Sequence, residues 1–305
     1  MHSPISLHLP GLDPSVALAI ARAVEADFEA SEQAMSRFRP TAELVYLNGH
    51  LGEWTEVSPK LYTALATSLR ACRRTGGLFD PRILRQLEAY GYAGASSGGS
   101  AVAQKAGTTW LERQPRLRRV RTMTALDLGG IGKGLGVRWG AAIARHVSGN
   151  FLLNAGGDLV ALGCGPEGHG WQVGVEDPRN PKDMIAALHL PSGGAVCTSS
   201  VARRRWQHDG HTVHHLIDPR TGRPGGQGLL SVTVIGQEPA WSEIWSKALF
   251  LQGGDAIAEA SRNLAALWVT DDGQVRHSDP AAPFVFWRAR RRRQPEERAT
   301  EVEGY

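Results

Sequence analysis

The most informative stretch of the chain reads Leu126-Asp127-Leu128-Gly129-Gly130-Ile131-Gly132-Lys133-Gly134. Apolar residues and an aspartate lead into two glycines, and Lys133 follows at a point where a helix can begin. Glycines let a backbone approach a ligand closely, and the free N–H groups at a helix start favour an anion. The stretch therefore favours a phosphate or diphosphate site, although a turn that packs a helix tightly on a strand would use the same residues. It matches neither the Walker A pattern nor the dinucleotide-binding pattern GxGxxG.

A second glycine-rich block, Asn154-Ala155-Gly156-Gly157-Asp158, directly follows the apolar residues 151–153. The apolar run predicts a strand, and the block predicts a tight turn at the end of that strand. Two interpretations of the block remain open. It is either a loop that contacts a ligand or a β-turn closed by its asparagine and aspartate side chains.

A third block extends from Thr198-Ser199-Ser200 through the arginines at 203–205 to the segment 214–224. Within it, Asp218-Pro219-Arg220-Thr221-Gly222 predicts a turn, because proline fixes φ and glycine accepts a positive φ. His215 lies three residues before the aspartate of this turn, so it could act as a base or be a structural histidine. The arginines could hold phosphate oxygens by paired hydrogen bonds, or they could be solvated side chains.

The rest of the chain predicts an α+β fold. Asp13-Pro14 and Ser58-Pro59 each combine a helix N-cap with a proline at the first helical position, and residues 242–251 predict a third helix. Strands are predicted at residues 43–47, 116–122, 151–153, 159–162, 171–175, 230–234 and, as the last element, 264–270. Residues 91–107, mostly glycine, serine and alanine, predict a loop or linker. The elements follow neither βαβ alternation nor an all-β pattern, so we expect strands packed against a few long helices.

Length and composition exclude several classes of protein. Of the 305 residues, 42% are apolar and 21% are charged, which excludes a mainly disordered chain. Three cysteines without a CxxC pair exclude a disulfide scaffold and a cysteine-based zinc site. No apolar run reaches the length of about 18 residues that a membrane span needs, so none is expected. The N-terminal residues carry no secretory signal pattern, and we therefore expect a cytoplasmic protein.

The end of the chain predicts a polar tail over residues 281–305. Arginines at 290–293 are followed by glutamates that nearly cancel their charge, and the net charge of the whole chain is +4. A solvated tail is therefore favoured over an arm that binds nucleic acid, and no nucleic-acid partner is expected.

The three blocks, taken in this order, resemble the ApbE family of FAD:protein FMN transferases. Four further segments extend the resemblance, which covers about residues 12–275: Ser36-Arg37-Phe38-Arg39-Pro40, Leu47-Asn48, Gly77-Leu78-Phe79-Asp80-Pro81 and Ser231-Val232-Thr233-Val234. The resemblance implies an ApbE-like, T-fold-related α+β domain over residues 1–280, with mixed sheets packed against a few long helices. The segment 91–107 could divide this domain into lobes of about 1–95 and 110–280.

The resemblance also implies a reaction. Members of the family bind FAD and transfer its FMN half to a Ser or Thr hydroxyl of an acceptor flavoprotein, which forms a phosphoester bond and releases AMP. Some members instead hydrolyse FAD to FMN and AMP. In the family, Mg²⁺ supplies much of the positive charge that the diphosphate needs. The expected partner is therefore an acceptor flavoprotein with a Ser/Thr flavinylation motif, and the oligomeric state is left open.

Site residues carry over from the matching motifs. The positions expected to contact FAD are Phe38, Leu78, Phe79, Asp80, Asp127, Lys133 and Leu216. His215 is the expected handler of the acceptor's proton. The positions that align with metal contacts are the backbone carbonyl of Gly130 or Gly132 and the side chains of Glu243 and Lys247.

The metal positions depart from the family pattern, which has Asp and, four residues later, Thr on one helical face. Here Glu243 and Lys247 stand in those places. A charged lysine cannot ligate a divalent cation and repels it. Four interpretations remain open: Lys247 replaces the metal as a fixed charge on the diphosphate, the metal is held differently, the protein binds FAD without turning it over, or the two residues form an ordinary ion pair along a helix.

Overall fold

The structure is a computed structural model that describes residues 4–92, 109–202 and 204–289. Its α-helices are α1 (Pro14–Met35), α2 (Glu43–Gly49), α3 (Pro59–Arg74), α4 (Leu84–Ala89), α5 (Gly132–Arg145), α6 (Pro239–Gln252) and α7 (Ile257–Ala260). Its strands are β1 (Ile5–His8), β2 (Thr55–Glu56), β3 (Leu111–Gln114), β4 (Arg119–Thr122), β5 (Phe151–Ala155), β6 (Asp158–Leu162), β7 (Trp171–Asp177), β8 (Asn180–Leu190), β9 (Gly193–Ser200), β10 (Arg205–His208), β11 (His211–His214), β12 (Ile217–Asp218), β13 (Arg223–Pro224), β14 (Leu229–Gly236), β15 (Ala265–Thr270), β16 (Val275–His277) and β17 (Val285–Arg288). None of the helices in these ranges combines the length and the apolar character that crossing a membrane requires.

A seven-stranded antiparallel sheet lies at the centre of the fold, in the order β1-β5-β6-β9-β14-β15-β16. In its middle, Thr198 of β9 pairs with Thr233 of β14, and Ser199 pairs with Val232. Smaller sheets, β17-β8-β7 and β2-β4-β3, and the ribbons β10-β11 and β12-β13 complete the described strands. The α+β fold class predicted from the sequence is confirmed.

Helices α5 and α6 pack against each other so closely that no side chain fits between them at one point. A Cβ atom on Gly134 would lie 2.7 Å from the Cα atom of Ala240 and 2.8 Å from the carbonyl oxygen of Pro239. Both neighbours are backbone atoms, so glycine is required there. Lys133 lies in the first turn of α5 and Glu243 lies on α6, so this packing joins two of the predicted site segments.

Most of the predicted helices and strands are confirmed. Helices α1 and α3 begin at the two predicted prolines, and the side chains of Asp13 and Ser58 accept hydrogen bonds from the backbone N–H groups of Ser15 and Leu61. The predicted helix at 242–251 lies within α6, and the strands predicted at 151–153, 159–162, 171–175, 230–234 and 264–270 are present as β5, β6, β7, β14 and β15.

The strand predicted at residues 43–47 is wrong, because these residues form helix α2. Leu44 and Leu47, three residues apart, are both fully buried, which a helical turn allows on a single face. The carboxylate of Glu43 also accepts a hydrogen bond from the backbone N–H of Ser58 at 2.7 Å. A short apolar run is compatible with either structure, and here the tertiary packing selects the helix.

Three other predictions need correction or lie outside the described residues. The strand predicted at 116–122 is shortened to β4, because Pro115–Leu117 form a 3-10 turn and Arg118 is left-handed with φ of 47°. Strands β16 and β17 follow β15, and β17 pairs with β8, so the start of the predicted tail at 281 is wrong. The predicted linker lies mostly in residues 93–108, and the remaining tail lies in residues 290–305, both outside the described ranges.

Candidate active site

Two cavities meet at four residues: Gly129, Arg204, His215 and Lys247. The first cavity is narrow, about 40 Å³, and the second is about 530 Å³. Eight of the eleven sequence-predicted site residues line the first cavity: Phe38, Leu78, Phe79, Asp80, Asp127, Gly130, His215 and Lys247. The structure thus brings segments that are distant in sequence to one cleft.

Aromatic rings form one wall of the first cavity. The Tyr92 ring lies edge-on to Phe38 at a centroid distance of 6.1 Å and is nearly parallel to the His215 ring at 6.4 Å. Trp206 packs against Tyr92 at 5.0 Å and is itself held by a hydrogen bond from its Nε1 to the carbonyl oxygen of Tyr90. Phe38 is 53% exposed, so the outer side of this wall faces solvent. Such ring faces suit a flat aromatic ligand.

Asp127 and Asp80 are each engaged by an arginine. The Asp127 carboxylate lies 2.8 Å from Nε of Arg37 and also accepts the backbone N–H of Gly129, which fixes the glycine-rich loop. The Asp80 carboxylate accepts hydrogen bonds from Nε of Arg82 at 2.9 Å and from Nη2 at 2.6 Å. Both carboxylates are therefore neutralised within the protein and shape the loops around the cavity.

The N-terminus of α5 already holds an anion from the protein itself. The backbone N–H of Gly134 donates to Oε2 of Glu243 at 2.7 Å. Lys133 forms an ion pair with the buried carboxylate of Asp158, and its Nζ lies 3.6 Å from Oε1 of Glu243. Asp158 in turn accepts the backbone N–H of Thr198 at 3.1 Å. In this structure Lys133 and the Gly134 N–H thus face carboxylates of the protein, and contact of Lys133 with FAD stays a prediction from the sequence.

The second glycine-rich block is a hairpin turn between β5 and β6. Its Asn154 side chain accepts the backbone N–H of Gly157 at 2.9 Å, and Gly156 and Gly157 have φ of 65° and 99°. Asn154 and both glycines also line the second cavity, together with Thr198, Ser199 and Ser200. The block is thus both a β-turn and part of the cleft wall.

Lys247 and Arg204 present positive charge at the junction of the two cavities. Lys247 extends from α6 over Gly130, where a Cβ atom would lie 2.9 Å from its Cε and 3.2 Å from its Nζ. Neither side chain forms an ion pair or hydrogen bond with any residue in the described ranges. Burial lowers the pKa of Lys247 to about 8, with Lys133 and Arg204 nearby adding to the effect and Glu243 opposing it. The ammonium is therefore mostly protonated near neutral pH.

His215 is a neutral imidazole at the same junction. Burial in the cleft, with Lys247 and Arg204 nearby, holds its pKa well below the usual value. Its Nδ1 lies 3.4 Å from the carbonyl oxygen of Arg204. An N–H at Nδ1 facing this carbonyl leaves the lone pair of Nε2 available to accept a proton. Asp218 does not orient the ring, because its carboxylate is bound by Nε and Nη2 of Arg220 at 3.0 and 2.8 Å.

The three remaining predicted residues lie elsewhere. Lys133 and Glu243 line the second cavity. Leu216 lines neither cavity, because its side chain is buried in a core cluster with Leu229 and Phe250. Sequence reasoning missed Tyr92, Trp206 and Arg37. Tyr92 lies within the segment 91–107 predicted as a loop or linker, and nothing in the sequence indicates that it meets Phe38.

Comparisons with known proteins agree with this geometry. The model of the ApbE family matches residues 1–268. An FAD:protein FMN transferase of Escherichia coli K12 is 25% identical over 283 residues, covering 87% of this chain and 80% of the relative. A protein of the same name from Rhodobacter capsulatus is 30% identical over 252 residues, covering 76% of this chain and 47% of the relative. The crystal structure of an ApbE protein from Thermotoga maritima matches with a TM-score of 0.79 at 26% identity, covering 93% of this chain and 98% of that one.

Proposed function

Because the chain belongs to the ApbE family, we propose that it is an FAD:protein FMN transferase, which moves FMN from FAD to a Ser or Thr hydroxyl of an acceptor flavoprotein. The observation that carries this proposal is the junction of an aromatic cavity and a polar cavity at His215, Arg204 and Lys247. A diphosphate needs cations on its oxygens, and a transfer from it needs a base beside the phosphorus. The junction supplies both.

The two cavities suit the two halves of FAD. The flavin ring would stack in the aromatic cavity beside Tyr92, after Phe38, which is half-exposed, moves outward to widen the space. The diphosphate would lie at the junction, against the cations of Lys247 and Arg204. The adenosine half would extend into the second cavity, which is large and lined with hydroxyl groups and glycines.

The transfer itself is a displacement at phosphorus. The acceptor's hydroxyl oxygen forms a bond to the phosphorus of the FMN half, and the bond from that phosphorus to the bridging oxygen breaks, so that AMP leaves. The hydroxyl proton goes to Nε2 of His215 and then to solvent, which a neutral imidazole allows. Lys247 and Arg204 stabilise the negative charge on the phosphate oxygens, and the backbone position of Lys247 is set by helix α6 before the reaction begins.

The Mg²⁺ implied by the family resemblance does not fit the residues present. Within the described ranges, no group of three or more His, Cys, Asp or Glu side chains is placed to hold a metal ion. Both oxygens of Glu243 face the N–H of Gly134 and the ammonium of Lys133. The side chain of Lys247 lies directly over Gly130. These contacts do not favour a metal held by Gly130, Glu243 and Lys247, which stays a prediction from the sequence, and no step of the transfer is assigned to a metal.

Two alternatives to transfer remain as outcomes of the test: hydrolysis of FAD to FMN and AMP, and FAD binding without turnover. The Ser/Thr motif of the acceptor and the cytoplasmic location stay predictions from the sequence.

The decisive experiment combines the protein, FAD and an acceptor flavoprotein that carries a Ser/Thr flavinylation motif, followed by intact-mass spectrometry of the acceptor. We expect a mass gain equal to one FMN and an equal amount of released AMP. His215→Gln should slow the transfer about 100- to 10,000-fold, and the matched control His211→Gln, at an exposed position on β11, should leave it unchanged. AMP release without a mass gain would indicate hydrolysis, and bound FAD without AMP release would indicate a binding protein.

A further inference from the structure

We propose that Lys247, together with Arg204, binds the FAD diphosphate directly in the place where a divalent cation would otherwise lie, so that this protein binds FAD without Mg²⁺. The inference rests on the proposed function only in taking FAD as the ligand. It deepens that function by naming what compensates the charge of the diphosphate.

The position of Lys247 follows from rigid elements. It lies on α6, a helix of 14 residues, one turn after Glu243. Glu243 is itself fixed on the N-terminus of α5 through Gly134. The Lys247 side chain runs across Gly130, and a Cβ at position 130 would force the end of this side chain to shift. The absence of a Cβ at Gly130 therefore leaves the space in which the lysine reaches the junction of the cavities.

The charge balance around the junction favours an anionic ligand over a cation. Each carboxylate there already faces a positive group: Asp127 faces Arg37, Asp158 faces Lys133, and Glu243 faces both Lys133 and the helix start. Lys247 and Arg204 are the junction's cations without such a partner among the described residues. A divalent cation at the junction would be repelled by the ammonium of Lys247 and the guanidinium of Arg204, whereas a diphosphate, with an ionised oxygen on each phosphorus, would be attracted to both.

The first test measures FAD binding to the intact protein by quenching of flavin fluorescence, once with Mg²⁺ and once with EDTA. Riboflavin, which lacks phosphate, serves as the matched ligand. We expect the same Kd for FAD in both buffers. A Kd that rises tenfold or more in EDTA and returns with Mg²⁺ would overturn the proposal.

The second test removes the charge. Lys247→Met should weaken FAD binding about 10- to 100-fold, the range expected for losing a hydrogen bond to a charged group, and should leave riboflavin binding unchanged. The control Arg70→Met removes one positive charge from an exposed position on α3 and should change neither. Equal weakening of FAD and riboflavin by Lys247→Met would show a structural role and refute the proposal. Thermal melts of each variant report whether it is folded.

The third test seeks to create a metal-dependent site. In the variant Glu243→Asp/Lys247→Thr, we expect FAD binding that is weak in EDTA and tightens with Mg²⁺. Tight FAD binding by this folded variant in EDTA would contradict a role for Lys247 in charge compensation. These binding tests do not depend on turnover. Suppose that no acceptor is modified, but that FAD binding does not change with Mg²⁺ and weakens in Lys247→Met. The proposed transfer would then fail, and this inference would stand.

Discussion

Lys133 holds together two buried carboxylates, and its removal should destabilise the whole domain. Asp158 is 1% exposed and Glu243 is 3% exposed, and both lie next to the Lys133 ammonium. Lys133→Met keeps the length of the side chain but leaves both carboxylates buried without that cation. Breaking a buried ion pair on one side costs about 3–5 kcal/mol. Because a domain is stable by only about 5–15 kcal/mol in total, the loss should be conspicuous.

The assay for this prediction is urea unfolding followed by circular dichroism. The midpoint for Lys133→Met should fall by about 1.5–2.5 M, because a loss of about 3–5 kcal/mol is divided by a slope near 2 kcal/mol per M. The double variant Lys133→Met/Asp158→Asn should recover part of the stability, since one buried charge is then absent. A loss below about 1 kcal/mol, or no recovery in the double variant, would refute the structural role assigned to Lys133.

The remaining predictions concern packing, pH and the aromatic wall. Gly134→Ala should lower the free energy of unfolding by about 1–3 kcal/mol, because its Cβ would collide with the backbone of α6. In the matched control Gly132→Ala, the added Cβ would lie near no other atom within 4 Å, so thermal melts should show no loss of stability. FAD affinity should be constant below pH 8 and fall by up to tenfold per pH unit above the Lys247 pKa of about 8, because only the ammonium form binds the diphosphate. A titration of the Kd for FAD from pH 6 to 10 tests this expectation. The variant Lys247→Arg should remove the fall in affinity. Tyr92→Leu should weaken the binding of riboflavin and of FAD alike by about 2- to 10-fold, because ring stacking is lost. A fluorescence titration in which only FAD binding weakens would contradict the assignment of the flavin to the aromatic cavity.

Local signals in the sequence were sufficient where short-range chemistry sets the structure. Asp13-Pro14 and Ser58-Pro59 predict helix starts because an N-cap side chain and a proline satisfy the first turn whatever lies around it. The same argument holds for the turn at Asn154–Asp158, where side chain and backbone bond to each other. Residues 43–47 show the limit, since their apolar pattern fits a strand or a helix and only burial of Leu44 and Leu47 selects the helix.

The chain's motifs alone determined the family, the α+β class and eight of the residues around the first cavity. Only the tertiary structure decided which charges are free. From the sequence, Lys133 in a glycine-rich stretch was the expected phosphate ligand, and Lys247 was a departure from a metal site. In the folded protein, the close packing of α5 on α6 at Gly134 sets Glu243 beside Lys133, and the strand pairing of β6 with β9 sets Asp158 there too. Electrostatic compensation depends on distances of a few ångströms between residues that are about 25 and 110 positions apart in the chain, and no local pattern encodes such distances.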